Sequence, residues 1–246
     1  MIKFSRLAVA AAAALSLQAH ALVIDDFTVS QPSAQDSVIG GGGQWTNSTA
    51  GNQPSIIGGQ RDVFVERVGG VSPSGDGRIF ASVPGDGFFR LSQDSDVAGR
   101  AILRWDGANT GEDINTSGLG GQNLAAAGNV FIFDFKSDTS NPLAPYDIRI
   151  DVYDMQGDLA TVEFTTEDTF GTLAPGFFAY DEFTLLGAFS WSDVGAIEVS
   201  FNTQPTAAID VDITIGKVSV VPEPGSIALA GLALLGLGAA GRFRKS

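Results

Sequence analysis

Short runs of alternating apolar and polar residues recur through the middle of the chain. They occupy residues 62–68, 78–83, 100–105, 129–135, 147–153, 160–164, 196–201 and 209–215. A period of two residues is typical of a strand with one buried face. Glycine-rich or Asp-Gly turns separate the runs, and no helical period interrupts them. We therefore predict an all-β fold of ten or so strands, arranged as a two-sheet antiparallel β-sandwich of the jelly-roll type.

The first 21 residues have the organisation of a secretory signal peptide. Lys3 and Arg6 precede an apolar stretch over residues 7–17, and Ala19 and Ala21 form a small-x-small cleavage site. We predict cleavage after Ala21. An uncleaved N-terminal anchor is the alternative, which the short apolar run disfavours.

The last 26 residues fall into three parts. Two prolines around one glutamate predict an extended segment, because proline fixes φ and lacks an amide donor. Residues 226–241 are uncharged and apolar, but these sixteen residues fall short of the roughly 17–25 of a usual membrane-spanning helix. A basic end follows, which the positive-inside rule places in the cytoplasm. The residues that define this tail are Val221, Pro222, Glu223, Pro224, Arg242, Arg244 and Lys245.

The tail resembles the PEP-CTERM sorting signal of exopolysaccharide-producing Gram-negative bacteria. The resemblance implies that a membrane-embedded exosortase recognises the Pro-Glu-Pro region, cleaves the tail and releases the protein to the cell surface or extracellular matrix. Before processing, a C-terminal transmembrane helix would anchor the chain transiently in the inner membrane. An ordinary C-terminal anchor is the alternative. The predicted organisation is a signal peptide (1–21), a β-sandwich domain (22–220) and a sorting signal (221–246).

The predicted domain is strongly acidic. The chain has 14 Lys and Arg and 28 Asp and Glu; five of the basic residues and one of the acidic residues lie in the two terminal segments. The domain therefore carries nine basic and 27 acidic residues, a net charge of −18. This charge repels nucleic acid and favours divalent cations. We expect no nucleic-acid partner.

The composition excludes several kinds of catalytic site. The chain has no cysteine, and its one histidine, His20, lies in the predicted signal peptide. Catalytic triads, the usual zinc sites and the two-histidine iron site are therefore ruled out for the mature domain. A carboxylate pair remains open, but no local motif selects two of the 27 acids. We expect no enzymatic activity and a structural or adhesive role in an exopolysaccharide or biofilm matrix. The alternatives are a carbohydrate-binding module and a carboxylate-pair glycoside hydrolase.

Two aromatic residues are the candidates for sugar binding. Trp45 and Tyr146 lie in turn-rich stretches, where we expect their rings to be exposed. An exposed ring can stack on the apolar face of a pyranose. The predicted partner is extracellular polysaccharide.

Acidic residues near both ends of the domain suggest a calcium site. Asp25 and Asp26 lie near its start, and Asp210 and Asp212 near its end. The pattern is similar to carbohydrate-binding jelly rolls in which the first and last strands are neighbours and calcium can bridge them. Ordinary outward-facing strand aspartates are the alternative.

A long polar loop offers a second place for a cation. It follows Trp105, and its Asp106, Asn109, Glu112 and Asp113 could supply oxygen ligands. The alternative is a solvated loop, which we favour for this segment.

Overall fold

The computed structural model describes residues 21–222, except for 50, 52, 72–74, 110–112, 140–145, 167–171 and 204–207. The signal peptide up to residue 20 and the tail from Glu223 onward lie outside the described residues. Among the residues that are described, no helix is long and apolar enough to cross a membrane. The predicted transmembrane helix over residues 226–241 lies outside the described residues and stays a prediction.

The described chain consists almost entirely of strands. They are β1 (Leu22–Asp25), β2 (Gln31–Asp36), β3 (Gln44–Asn47), β4 (Asp62–Gly70), β5 (Ile79–Val83), β6 (Phe89–Gln93), β7 (Val97–Trp105), β8 (Val130–Thr139), β9 (Tyr146–Asp154), β10 (Leu159–Thr166), β11 (Ala174–Ala179), β12 (Thr184–Leu186), β13 (Val194–Phe201) and β14 (Val211–Val221). One four-residue helix, α1 (Leu124–Ala127), and two 3-10 turns (Ile57–Gly59 and Tyr180–Glu182) connect them.

The strands form two antiparallel sheets of seven strands each. Sheet 1 has the order β11-β8-β14-β6-β5-β2, and β1 also pairs with β14. Sheet 2 has the order β12-β10-β9-β13-β7-β4-β3. The predicted all-β, two-sheet antiparallel sandwich is thus confirmed, and the pairing of the first strand with the last is compatible with a jelly roll.

Alternation along the strands produces one core between the sheets. In β9, for example, Ile148, Ile150 and Val152 face the core, while Arg149 and Asp151 lie on the opposite face. The largest fully buried side chains include Trp105, Tyr146, Phe27, Phe89, Phe131 and Phe201. An apolar gap in this core is lined by residues such as Phe133 and Phe164. Its lining has no polar group that could orient a ligand.

A buried ion pair joins the two sheets. Asp25 at the end of β1 accepts hydrogen bonds from Arg61 Nη1 (2.7 Å), Trp105 Nε1 (2.9 Å) and the backbone N–H of Phe27 (2.8 Å). Asp25 and Arg61 are both fully buried. The pair therefore fastens the start of sheet 1 to the segment that leads into β4.

Candidate functional site

The outer face of sheet 2 carries a continuous row of polar side chains. The strand registers place Asp62 of β4 opposite Arg104 of β7, and Arg104 opposite Glu198 of β13. Glu198 in turn lies opposite Asp151 of β9, and Asp151 opposite Thr161 of β10. Residues directly opposite in an antiparallel pair share a face and lie about 5 Å apart. We call these five side chains the polar row.

Two arginines hold the central carboxylates of the polar row. Arg104 Nε and Nη2 each lie 2.8 Å from Glu198 Oε2. Arg149 projects from the same face of β9, and its Nη2 lies 2.6 Å from Asp151 Oδ2. Thr161 Oγ1 donates to the other oxygen of Asp151 at 2.5 Å. These contacts form two hydrogen-bonded groups along the row, Arg104 with Glu198 and Arg149 with Asp151 and Thr161.

The two groups differ in exposure. Arg104 and Glu198 are buried, whereas the Arg149 side chain is 42% exposed. Glu163, which lies opposite Arg149 on β10, is also exposed. A ligand on this face would therefore meet Arg149 and Glu163 first.

Trp45 borders the polar row on β3. Its ring is half-buried, lies 4.9 Å from the Phe64 ring and has the Arg104 guanidinium 4.5 Å from its centroid. The ring and the guanidinium attract each other by a cation–π interaction. The structure thus places this sequence-predicted residue beside the Arg104–Glu198 ion pair.

Burial and neighbouring charges change the acidities on this face. Burial raises the pKa of Glu198; the Arg104 ion pair opposes the rise, and the charge of Asp151 adds to it. Burial, together with the carboxylates of Asp151 and Glu198, raises the pKa of Tyr153 to about 12. Tyr153 is therefore a neutral hydroxyl at physiological pH, available as a hydrogen-bond donor.

Tyr146 does not lie on the exposed surface that was predicted for it. Its side chain is only 1% exposed and belongs to the hydrophobic core. Tyr146 begins β9 on the same side as Ile148 and Ile150, so the alternation of the strand turns its ring inward. The expectation of an exposed ring at Tyr146 is therefore wrong.

The four aspartates proposed for calcium do not meet. β1 does pair with β14, but Asp25 lies opposite Val218, six residues beyond Asp212. Six residues of strand span about 20 Å. Asp210 Oδ1 instead accepts from the backbone N–H of Asp96 at 2.5 Å, and Asp26 Oδ1 accepts from Thr28 Oγ1 at 2.6 Å. Within the described part of the chain, no three acidic side chains converge on a point that could hold a metal ion.

The sequence alone did not point to the polar row. The sequence patterns single out none of its five residues, and they do not single out the neighbouring Arg149 either. Their position at the polar residues of strongly alternating strands is the one sequence feature that could have indicated them. Their convergence depends on the strand register, which the sequence does not specify.

The tail has an independent match among known protein families. Residues 220–245 match the PEP-CTERM protein-sorting motif. The chain carries a PEP-CTERM sorting motif. The resemblance identified from Val221 to Ser246 is thereby confirmed, and the motif implies an exported protein with a C-terminal membrane anchor before exosortase processing. No curated protein matches the chain.

Several solved structures have a similar but distant architecture. One is the carbohydrate-binding module CtCBM11, with 10% identity and a TM-score of 0.36 over 79% of this chain and 96% of that one. A second, described as carbohydrate-binding modules from the beta-sandwich super family, has 12% identity and a TM-score of 0.31 over 74% of this chain and 58% of that one. A third, PfGH50B, has 10% identity and a TM-score of 0.34 over 56% of this chain and only 21% of that one. At these scores the similarity carries no argument about function.

Proposed function

We propose that the protein is an exosortase substrate of the cell surface or extracellular matrix, and that the outer face of sheet 2 binds polysaccharide there. The sorting motif at residues 220–245 supports the destination. The polar row beside Trp45 supports the binding role, and it is the observation that carries this part of the proposal.

The accessible side chains on the outer face of sheet 2 suit a sugar chain. Arg149, Thr161 and Glu163 offer hydrogen-bond donors and acceptors to hydroxyl groups, and the half-buried Trp45 ring offers an apolar face to sugar C–H groups. The ion pairs fix the orientation of these groups before a ligand arrives, which lowers the entropy lost on binding. A preorganised face that extends from β3 to β10 fits an extended polymer better than a small molecule.

The same ion pairs favour binding over catalysis. A glycoside hydrolase needs one carboxyl group to donate its proton and the other to act as base or nucleophile. Here Glu198 is held by Arg104, and Asp151 by Arg149. We therefore propose a non-enzymatic role. Release of new reducing ends from any polysaccharide by the purified protein would contradict this part of the proposal.

Affinity electrophoresis against a panel of bacterial exopolysaccharides tests the binding role. We expect Trp45→Ala and Arg149→Ala each to weaken retardation at least tenfold. Arg90→Ala is the matched control, because Arg90 is an ion-paired arginine of similar exposure on β6 of sheet 1. Equal retardation of all four proteins, or no retardation of the unmodified protein by any polymer, would refute binding by this face.

Cell fractionation tests the sorting role separately. In a host with an exosortase, the unmodified protein is expected at the surface or in the matrix, and a chain that ends at Val220 is expected elsewhere. Identical fractionation of the two chains would refute sorting by the tail without affecting the binding result.

A further inference from the structure

Two buried carboxyl groups meet beneath the loop that follows β7. Asp62 is the first residue of β4, and Asp106 comes directly after the last residue of β7. Their exposed fractions are 1% and 0%. The two carboxyl groups lie within hydrogen-bonding reach of each other. Neither forms an ion pair with any residue in the described ranges.

Each of these carboxyl groups is held through only one of its oxygens. Asp62 Oδ1 accepts from Asn47 Nδ2 at 2.6 Å and from Gln60 Nε2 at 3.1 Å. Asp106 Oδ2 accepts from the backbone N–H of Asn115 at 2.8 Å. The other two oxygens, Asp62 Oδ2 and Asp106 Oδ1, are buried and receive no hydrogen bond from the described residues. Two acceptors cannot satisfy each other unless a proton or a cation lies between them.

Asn109 brings a third oxygen to the same place. Its backbone carbonyl accepts from Gln60 Nε2 at 2.8 Å and from Asn47 Nδ2 at 3.3 Å, the two amides that also hold Asp62. Both side-chain polar atoms of Asn109 are buried, again without a hydrogen-bond partner in the described structure. Buried polar atoms in folded proteins almost always have a partner, so the three oxygens Asp62 Oδ2, Asp106 Oδ1 and Asn109 Oδ1 call for a missing ligand.

The local charge has the sign that a cation would neutralise. Two buried like charges disfavour each other's ionisation, and a bound cation reverses that preference. The domain as a whole is also strongly acidic.

We propose that Asp62, Asp106 and Asn109 form a binding site for a divalent cation, with calcium as the preferred ion. Carboxylate and amide oxygens are the ligands that calcium prefers, and no nitrogen or sulfur ligand is present in this set. The site differs from the four aspartates considered for calcium from the sequence. It shares Asp106 and Asn109 with the polar loop that was the second candidate, and it adds Asp62 of β4. It would tie the start of the loop that follows β7 to β4, next to the strand that carries Trp45.

The loop is built to approach β7 closely at this point. A Cβ atom on Gly118 would lie within bonding range of the backbone carbonyl of Asp106, and Gly107 adopts a positive φ of 80°. Glycine tolerates both the close contact and the left-handed conformation. The chain around Gly118 can therefore pack directly against Asp106, which is fully buried.

Calcium titration of the full chain, purified in detergent and stripped with EDTA, tests the proposal. Calorimetry is expected to show one calcium per chain. At a hundredfold excess over the dissociation constant, the melting temperature is expected to rise by about 5–10 °C. Asp62→Asn, Asp106→Asn and Asn109→Ala are each expected to lose this response. Asp181→Asn removes the same charge from an exposed turn and is expected to keep it.

Three results would overturn the proposal. The first is the absence of saturable calcium binding by the unmodified chain, which would leave a proton shared between Asp62 and Asp106 as the explanation of the cluster. The second is an unchanged calcium response in Asp62→Asn and Asp106→Asn. The third is loss of the response in Asp212→Asn but not in Asp62→Asn, which would place the ion elsewhere. Asn109→Ala lies in a loop, so the test does not depend on variants of the strand residues alone.

Discussion

The buried ion pair between Asp25 and Arg61 allows a quantitative test of what holds the two sheets together. The perturbation is Arg61→Met, which keeps an unbranched side chain but removes the charge. It leaves Asp25 fully buried without its cation and removes the donors to Gln31 Oε1 and the Val29 carbonyl, both at 2.9 Å. Breaking one partner of a buried pair costs about 3–5 kcal/mol. The expected fall in melting temperature is about 6–20 °C for a domain of this size.

The matched control is the same substitution at an exposed pair of nearly equal length. Arg90 Nη2 lies 2.8 Å from Asp86 Oδ2, compared with 2.7 Å in the buried pair, but its side chain is 40% exposed. Exposed pairs contribute about 0–1 kcal/mol, so Arg90→Met should change stability very little. The free energies of unfolding are measured by urea denaturation of the full chain.

A double variant separates the cost of breaking the pair from its net contribution. Burial raises the pKa of Asp25 in spite of the opposing charge of Arg61 and the hydrogen bond from Trp105. Desolvation therefore outweighs attraction, and Asp25→Leu combined with Arg61→Met should regain part of the stability lost in the single variant. If Arg61→Met lost no more stability than Arg90→Met, the buried Asp25–Arg61 pair would not be what holds the two sheets together.

Three further predictions concern packing and the polar row. Gly118→Ala should destabilise the protein by about 1–3 kcal/mol or more, because there is no room for the added Cβ. The control Gly69→Ala, whose Cβ would meet nothing closer than 3.7 Å, should change stability by less than about 0.5 kcal/mol, and similar urea midpoints for the two variants would contradict this prediction. Glu198→Ala removes the acceptor of the buried Arg104 and should lower the free energy of unfolding by about 3 kcal/mol in the same assay, whereas the exposed Glu163→Ala should lower it by about 0.5 kcal/mol or less. A smaller loss in Glu198→Ala would show that the Arg104–Glu198 pair is not needed for stability. Trp191→Ala should cost about 3 kcal/mol, because it removes a stack at 3.7 Å on Tyr180, and near-UV circular dichroism should show the loss of that aromatic signal.

Eight of the fourteen strands were predictable from the alternation of apolar and polar residues. Each of the eight alternating runs overlaps an observed strand; the run at 62–68, for instance, lies within β4. β2 (Gln31–Asp36) and β11 (Ala174–Ala179) were not predicted. Each contains a proline, and neither shows regular apolar alternation, so their strand character depends on pairing with neighbours at the sheet edges.

The candidate site was predictable only in part, because strand pairing brings its residues together. Trp45 was predicted to be exposed because of its turn-rich surroundings; the structure places its half-buried ring beside the polar row, and its role in sugar binding stays a prediction. Tyr146 directly precedes the predicted run 147–153. Extending the alternation of that run by one residue places Tyr146 on the core face with Ile148. Asp62 and Asp106 lie 44 residues apart in the chain, and only the register of β4 with β7 brings them together. Local sequence carries no information on that register.

In the proposed function, the tail delivers the protein to the matrix and sheet 2 retains it there. The most direct measurement is the fraction of protein bound to the matrix in an exosortase-containing host that produces exopolysaccharide. It is compared for the unmodified chain, for Trp45→Ala combined with Arg149→Ala, and for Arg90→Ala. We predict that the double variant is processed normally but is released into the medium, while the other two proteins remain in the matrix. Equal retention of all three processed proteins would contradict the account.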